Sequence, residues 1–171
     1  MNKMSILAAA VVLLSGATMA KAVNLDLAPG PELGSVSEIN GYNFGQIDQF
    51  GEGNLASLAQ QGGYNSATLS QYGQGNTATA LQSGRENTLA LYQDGAGESA
   101  QTTQSGTRNM ISLTQSGSDN RAYVSQYGQG NRAQASQAGT NNLVEISQSG
   151  TGLQTVVVQS GGNQSARVSQ F

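Results

Sequence analysis

The stretch "SATLSQYGQGNTATALQ", from Ser66 to Gln82, contains one full period of a repeat that runs through most of this 171-residue chain. Its central part, "SQYGQGN" at Ser70–Asn76, recurs unchanged at Ser125–Asn131, fifty-five residues later. Fifty-five is five times eleven, and a glutamine stands at every eleventh position from Gln49 onward. A fixed period of this kind indicates a repeat architecture, in which each unit adopts the same local structure.

Each eleven-residue unit carries the same marker residues. A glycine stands two residues after each of the first eleven glutamines, and an asparagine usually stands five residues after the glutamine. The consensus is Q-x-G-x-x-N-x-A-x-φ-x, where φ is an apolar residue. Three units depart from it at the asparagine position, where they have Glu98, Leu153 and Gln164.

The residues between these markers alternate in polarity. In the stretch Asn65–Gln71, the residues Asn, Ala, Leu and Gln alternate with Ser, Thr and Ser. Alternation with period two predicts a β-strand with one buried face, and the glycine-containing segment that follows is typical of a turn. A helix is excluded, because a glycine in every unit would cost about 1 kcal/mol each in helix interiors.

Two such strands joined by a glycine turn can bury their apolar faces against each other. The sequence therefore predicts an all-β, amyloid-like fold: a two-sheet β-solenoid of stacked strand-turn-strand rungs, each rung having 22 residues and each half-repeat eleven. The two copies of "SQYGQGN" lie an odd number of units apart, so we expect them on opposite sheets. Chains rich in Gln, Asn, Gly and Ser are often unstructured, and disorder of the free monomer stays an open alternative.

Stacking in register places residues that are 22 apart above one another. A buried amide is costly unless its donors and acceptors are paired, and a column of amides pairs each side chain with its neighbours. We therefore predict amide ladders that serve assembly, formed by Gln49, Asn54, Gln60, Asn65, Gln71, Asn76, Gln82, Asn87, Gln93, Gln104, Asn109, Gln115, Asn120, Gln126, Asn131, Gln137, Asn142, Gln148, Gln159 and Gln170. The predicted turn glycines are Gly51, Gly62, Gly73, Gly84, Gly95, Gly106, Gly117, Gly128, Gly139, Gly150 and Gly161.

The ends of the predicted stack look unprotected. The repeats contain no proline, and Phe171 follows the last repeat glutamine, Gln170, directly. Monomeric solenoids cover their terminal rungs with polar caps, prolines or helices, because an open edge is a template for pairing. Each end is therefore expected to accept another copy in a non-closing contact, which builds a filament.

Charged residues are sparse, and those of the middle units fall mainly in the predicted turns. Two roles stay open for them: they keep exposed turns soluble, or they slow premature assembly as gatekeepers. The residues are Arg85, Glu86, Asp94, Glu98, Arg108, Asp119 and Arg121.

The composition argues against catalysis and cofactors. The chain has no Cys and no His, so it offers neither a thiolate nor an imidazole, and no nucleophile–base pair or cluster of carboxylates is evident. We predict no enzyme activity, no metal, no cofactor and no small-molecule substrate. Without residues 1–22 the chain holds five arginines and ten acids, a net charge of 5 − 10 = −5. Nucleic acid is therefore not expected as a primary ligand.

Residues 1–22 have the features of a secretory signal peptide. Lys3 gives a positive start, Ile6–Leu14 an apolar run and Ala20–Ala22 a small-residue cleavage site. The predicted organisation is thus a signal peptide (1–22), an N-terminal segment (23–37), an irregular half-repeat (38–48) and the repeat domain (49–171). In the irregular half-repeat, Glu38, Asn40 and Asn43 take the places of the Gln, Gly and Asn.

The repeat resembles that of the curlins, the subunits of bacterial curli amyloid fibres. The resemblance is carried by "SATLSQYGQGNTATALQ" (Ser66 to Gln82) and "DNRAYVSQYGQGNRAQASQ" (Asp119 to Gln137), which match the pattern S-x5-Q-x-G-x-x-N-x-A-x-x-x-Q. It implies a secreted, non-catalytic subunit of an extracellular fibre at the surface of a Gram-negative bacterium. Such a subunit is exported through the periplasm and an outer-membrane secretion pore, partners with itself and other curlins, and serves adhesion and biofilm formation.

Curlins include a major subunit and a minor, nucleating one, and the minor one is the closer resemblance. The start "VNLDLAPGPELGSVSEINGYNF" lacks the Gly-rich leader of major subunits, and "SQAGTNN" at Ser136–Asn142 and the degenerate ending "VVVQSGGNQSARVSQF" resemble nucleators. A major subunit is the alternative, because "QYGQGN" resembles major subunits and Arg167 is the one basic residue of the ending. A soluble β-solenoid binding protein is a remoter alternative.

Overall fold

The computed structural model describes residues 9–15, 17–25, 35–38 and 42–171, and its regular structure is β-strand. None of the described residues form a helix with the length and apolarity needed to cross a membrane. The strands are β1 (Ala9–Ser15), β2 (Ala17–Leu25), β3 (Ser35–Glu38), β4 (Asn43–Glu52), β5 (Leu55–Gly63), β6 (Ser66–Gln74), β7 (Thr77–Arg85), β8 (Thr88–Ala96), β9 (Ser99–Thr107), β10 (Met110–Ser118), β11 (Arg121–Gln129), β12 (Arg132–Thr140), β13 (Leu143–Thr151), β14 (Gln154–Gly162) and β15 (Ser165–Gln170).

Successive strands alternate between two sheets, so that each pair of neighbours along the chain forms one rung. The eight-stranded sheet has the order β15-β13-β11-β9-β7-β5-β1-β3, and the seven-stranded sheet has the order β14-β12-β10-β8-β6-β4-β2. The strand pairs are parallel, and from β4–β5 to β14–β15 the chain makes about six turns. The predicted two-sheet β-solenoid with a rung of roughly 22 residues is confirmed.

The register between neighbouring rungs is a shift of 22 residues. In the seven-stranded sheet Gln71 is paired with Gln49 and Gln93, and in the eight-stranded sheet Gln104 is paired with Gln82 and Gln126. Each residue type therefore lies above its counterpart in the next rung. The two copies of "SQYGQGN" begin in β6 and β11, which belong to different sheets as expected.

A narrow apolar core lies between the two sheets. Along β6 the pattern of buried and partly exposed residues has a period of two, with Ala67, Leu69 and Gln71 facing inward. In the eight-stranded sheet small residues form one column, which contains Ala56, Ala78, Ala100 and Ala122. The corresponding column of the seven-stranded sheet mixes small and large residues, since Leu89 is paired with Ala67 and Ile111. The alternation of the sequence is thus the alternation of a strand whose inner face packs against the opposite sheet.

The turn glycine of each unit permits the rungs to approach closely. Gly73 has a φ of 104°, and a Cβ atom at this position would overlap the carbonyl oxygen of Gly95 in the next rung. A side chain is therefore excluded by both backbone conformation and space. This double requirement applies to the nine turn glycines from Gly51 to Gly139, whereas Gly150 and Gly161 have a positive φ but no carbonyl of a following rung near the position of a Cβ.

The N-terminal edge of the repeat stack is paired in this structure, which corrects the expectation that both edges are open. Strand β2 pairs with β4, and β1 pairs with β5 and β3. Two predicted segments fall here: the signal peptide includes β1 and part of β2, and the irregular half-repeat includes Glu38, the end of β3, and Asn43, the start of β4. Lys3 and Asn40 lie outside the described residues, and the predicted domain boundaries stay a prediction.

Candidate functional site

The structure places the repeat glutamines in two hydrogen-bonded columns inside the solenoid. In the seven-stranded sheet, the Nε2 of each glutamine from Gln49 to Gln137 donates to the Oε1 of the glutamine 22 residues later, at 2.6 to 2.9 Å. In the eight-stranded sheet the column runs from Gln60 to Gln170 with distances of 2.6 to 3.0 Å. Each column is a continuous chain of amide hydrogen bonds along the stacking axis.

The direction of these columns is fixed by a second hydrogen bond. The Nε2 of Gln71 also donates to the backbone carbonyl of Leu55 at 3.1 Å, and that of Gln93 donates to the carbonyl of Thr77 at 3.1 Å. A carbonyl oxygen can only accept, so the atom facing it must be the amide nitrogen. The carbonyl of each glutamine side chain therefore faces the N-terminal end of the stack, and the other N–H faces the C-terminal end.

The repeat asparagines connect the turns of successive rungs. The Nδ2 of Asn87 donates to the carbonyls of Ser83 and Gly106 at 3.1 Å each, and its Oδ1 accepts from the backbone N–H of Asn109 at 3.1 Å. These side chains are fully buried, with exposures of 0 to 2%. One asparagine thus satisfies backbone groups of its own turn and of the next one.

The two ends of the stack offer different atoms of the glutamine columns. At the N-terminal end, Gln49 is 1% exposed, and its Oε1 has no hydrogen-bond partner among the described residues. At the C-terminal end, the Nε2 atoms of Gln159 and Gln170 donate to the carbonyls of Leu143 and Gln154 at 3.0 and 3.1 Å. Each of these amides has a second N–H directed along the column, beyond β14 and β15.

The last rung departs from the asparagine pattern. Leu153 and Gln164 stand where asparagines would, and the Oε1 of Gln164 accepts from the backbone N–H of Ser160 in its own turn. A role for Thr155 in β14 was not predicted from the sequence: its hydroxyl accepts from Gln148 at 3.0 Å and donates to Gln170 at 2.7 Å, and both glutamines belong to the column of the eight-stranded sheet. The terminal rung therefore has its own hydrogen-bond arrangement.

Glu98 occupies a buried asparagine position. From the sequence, Glu98 was grouped with the charges of the predicted turns, but the residue is 0% exposed. Its carboxyl group accepts from the backbone N–H and the Nδ2 of Asn120 at 3.1 and 3.0 Å. The pKa of Glu98 is raised to about 7, because burial and, to a smaller extent, Asp119 raise it more than the two Asn120 hydrogen bonds lower it. The other predicted turn charges, such as Arg85, Glu86, Arg108 and Asp119, are exposed.

Thr102 is a second polar residue that the repeat pattern did not single out. It stands in the larger apolar column of the eight-stranded sheet, in line with Leu58, Ala80, Val124 and Ile146. The side chain is 1% exposed, and its hydroxyl has no hydrogen-bond partner among the described residues. A buried hydroxyl without a partner reduces stability.

Aromatic residues form short columns along the turns of the first rungs. Phe50 and Tyr72 are stacked with ring centroids 4.9 Å apart, and Tyr42 and Tyr64 lie 5.4 Å apart. The guanidinium of Arg85 lies 5.8 Å from the ring centre of Tyr64.

Among residues 42–171 and the other described segments, no group of three or more His, Cys, Asp or Glu could hold a metal ion.

These features describe a structural site, in which backbone groups and side-chain amides interact through hydrogen bonds. Its chemistry is hydrogen bonding in columns, and its elements are the strands β4 to β15 and the asparagine turns between them. The predicted ladder residues and turn glycines are all brought together in this stack. Their role in assembly between chains stays a prediction.

Comparison with known proteins identifies the repeat. The family model described as the curlin associated repeat matches residues 43–73, 65–95, 106–139 and 139–171. These matches span the stack from β4 to β15, which is more than half of the chain. No curated protein and no solved structure matches the chain.

Proposed function

The chain belongs to the curlin family, and we propose that it is the minor, nucleating subunit of a curli-type extracellular amyloid fibre. Family and fold make it a structural subunit of curli type. The finer role includes templating of polymerisation, partnership with other curlin subunits, and service in adhesion and the biofilm matrix. The observation that most directly supports templating of polymerisation is the continuous, directed hydrogen bonding of the glutamine columns.

Directed columns favour stacking of copies head to tail. The second N–H groups of Gln159 and Gln170 face the C-terminal end, whereas the unpartnered Oε1 of Gln49 faces the N-terminal end. A second copy placed on β14 and β15 would align its Gln49 with Gln159 and its Gln60 with Gln170, which continues both columns. The same amide groups would then hold rungs together within a chain and between chains.

Removal of the predicted signal peptide would prepare the N-terminal end for this contact. Cleavage after Ala22 would remove β1 and most of β2, the strands that pair with β5 and β4. The backbone edges of β4 and β5 would then be free to pair with β14 and β15 of another copy. Export across the periplasm and through an outer-membrane pore to the cell surface completes the proposal.

The nucleating role is favoured by the terminal rung. Within the stack, the backbone N–H of each asparagine-position residue from Asn65 to Gln164 donates to a side-chain oxygen of the rung before it, as Asn76 does to Asn54 at 3.0 Å. Leu153 has no such oxygen, and that of Gln164 is held in its own turn. A terminal rung that cannot repeat the asparagine column suits a subunit that starts a fibre of a different subunit or holds it to a surface.

The first experiment tests whether the chain forms fibres at all. Residues 23–171 are purified in denaturant and diluted into buffer, and assembly is followed by thioflavin fluorescence, detergent resistance and X-ray diffraction. We expect fibres with a reflection near 4.7 Å from the strand spacing. A monomer that stays soluble at high concentration would refute the fibre role and favour a soluble β-solenoid binding protein.

The second experiment separates the nucleating subunit from the major one. Preformed aggregates of the chain are added to a major curlin, and the lag time and the attachment of fibres to cells are compared with those of two deletions. We expect deletion of residues 149–171 to abolish attachment and lengthen the lag. Deletion of residues 91–112, which removes one internal rung, serves as the control of similar size. If both deletions behave like the intact chain, the major-subunit alternative is favoured.

A further inference from the structure

Glu98 differs from the asparagines of its column in the hydrogen bonds that it can make. One rung earlier, the Nδ2 of Asn76 donates to the carbonyls of Tyr72 and Gly95 at 2.9 and 3.2 Å. One rung later, the Nδ2 of Asn120 donates to the carbonyls of Ser116 and Gly139 at 3.4 and 3.0 Å. The corresponding carbonyls beside Glu98 belong to Asp94 and Gly117, and an ionised carboxylate has no proton to donate to them.

We propose that Glu98 is held in the folded stack as the neutral acid, which donates its proton to the carbonyl of Asp94 or Gly117, and that its ionisation weakens the fold as the pH rises. The inference concerns one rung, and it applies equally to a single solenoid and to a fibre. It therefore does not depend on the proposed function.

The surroundings of Glu98 disfavour a charge. The residues above and below it in the column, Asn76 and Asn120, are neutral, and the side chain is completely buried. A charge in such a position loses its hydration, and two hydrogen bonds from Asn120 compensate only in part. Deprotonation would also remove the one O–H donor that the neutral acid offers to the two carbonyls of Asp94 and Gly117.

No positive charge among the described residues offsets this cost. Asp119, in the turn of the next rung, adds repulsion. Asp94, four residues before Glu98, is exposed on the preceding strand, and Arg121 is exposed at the start of β11. Arg85, Glu86 and Arg108 belong to the turns that lead from the eight-stranded sheet to the seven-stranded one, at the opposite edge of the solenoid.

The sign of the effect follows from the two protonation equilibria. The pKa of Glu98 is about 7 in the folded state and 4.5 for an ordinary glutamic acid. Below the ordinary value both states are protonated, and Glu98 costs nothing. Between the two values the unfolded chain loses its proton while the fold retains it, so stability falls with rising pH until the loss is complete above the folded value. A difference of this size lowers the folding equilibrium constant by about 300-fold.

The test compares the full chain with Glu98→Gln, which keeps the side-chain shape, cannot ionise and restores an N–H donor. The midpoint of guanidinium denaturation is measured by circular dichroism at pH values from about 5 to about 8. At each pH both unfolding and refolding are followed. We expect the midpoint of the parent chain to fall across this range and that of Glu98→Gln to stay level. Glu52→Gln, which changes an exposed acid, is the control and should retain the slope of the parent.

A direct titration covers the case in which Glu98→Gln fails to fold. The carboxyl carbon of Glu98 is observed by carbon-13 NMR of the folded or assembled full chain, and its titration midpoint is compared with those of the exposed acids. A midpoint near neutrality supports the proposal. A midpoint in the ordinary range of glutamic acids overturns it, as does a pH slope that persists unchanged in Glu98→Gln.

Discussion

At the scale of single residues, Gly73 shows how closely the rungs approach at the turn. Its φ of 104° and the position of the Gly95 carbonyl leave no room for a Cβ atom. We expect Gly73→Ala to destabilise the fold by roughly 3 kcal/mol or more, because neither a backbone carbonyl nor a strained turn can relax easily. Denaturant midpoints of the two chains measure the difference.

The same turn supplies a matched control. Gly75 also has a positive φ, 66°, but no atom lies near the position that its Cβ would occupy. Asparagine tolerates this left-handed conformation, and in other turns Asn141 and Asn163 adopt it with φ values of 54° and 57°. Gly75→Asn should therefore cost less than about 1 kcal/mol. Equal losses in the two variants would show that conformation, rather than the close approach, governs the turn glycines.

Thr102 offers a substitution that should stabilise the protein. Its buried hydroxyl lacks a partner among the described residues, and valine has nearly the same shape. We expect Thr102→Val to raise the free energy of unfolding by about 1 to 2 kcal/mol, measured by chemical denaturation. Thr103→Val, on the outer face of the same strand, is the control and should change it by less than about 0.5 kcal/mol. A loss of stability in Thr102→Val would point to a water bound to the hydroxyl.

The residue patterns of the sequence predicted the periodic part of the site and missed its exceptions. The spacing of Gln and Asn was sufficient to place Gln71 beneath Gln93, because a period of 22 leaves one register for a two-sheet stack. The protonation of Glu98 and the hydrogen bonds of Thr155 to the glutamine column of the opposite sheet depend on burial and on partners in other strands. A single deviation from a repeat carries no such information in the sequence.

At the scale of elements, the register of each strand depends on the number of residues in a rung. Deletion of residues 91–112 joins Ala90 to Leu113 and leaves every later residue in its column, with one rung fewer. We expect this chain to keep its β-sheet circular dichroism with a modest loss of stability, since each rung contacts mainly its neighbours. The rung that is lost includes Glu98, so the pH dependence should disappear with it.

A deletion that is one residue shorter provides the contrast. Removal of residues 91–111 joins Ala90 to Ser112, which turns the inward-facing side chains outward for the rest of that strand. A one-residue slip exchanges the faces of a strand, so we expect a large loss of β-sheet signal or a lower denaturation midpoint. If the two deletions unfold at the same denaturant concentration, the columns do not determine the register.

The position of the N-terminal strands shows what the repeat pattern could not predict. Residues 9–25 contain no glutamine and lack the Q-x-G-x-x-N spacing, and the composition of residues 1–22 indicated a signal peptide. In the structure β1 and β2 extend the two sheets by pairing with β5 and β4. Any apolar segment that can adopt an extended conformation satisfies an open parallel edge, because backbone hydrogen bonds require no particular side chain.

At the scale of the whole molecule, the solenoid is a one-dimensional object with unlike ends. The apolar core and the Gln columns continue from the first repeat rung to the last, whereas the Asn column loses its acceptor at Leu153 and Gln164. Stability in such a stack is approximately a sum over rungs and their interfaces. The interior rungs therefore determine the stability of the folded stack, and the terminal rungs determine which partner can be added.

The common direction of the glutamine columns also has an electrical consequence. All ten side-chain bonds point the same way, so the amide dipoles, each about 3.5 D in a peptide unit, add instead of cancelling. The glutamine columns thus contribute a moment along the axis of the stack, positive toward β14 and β15. In a head-to-tail polymer this contribution of the glutamine columns would grow with the number of rungs.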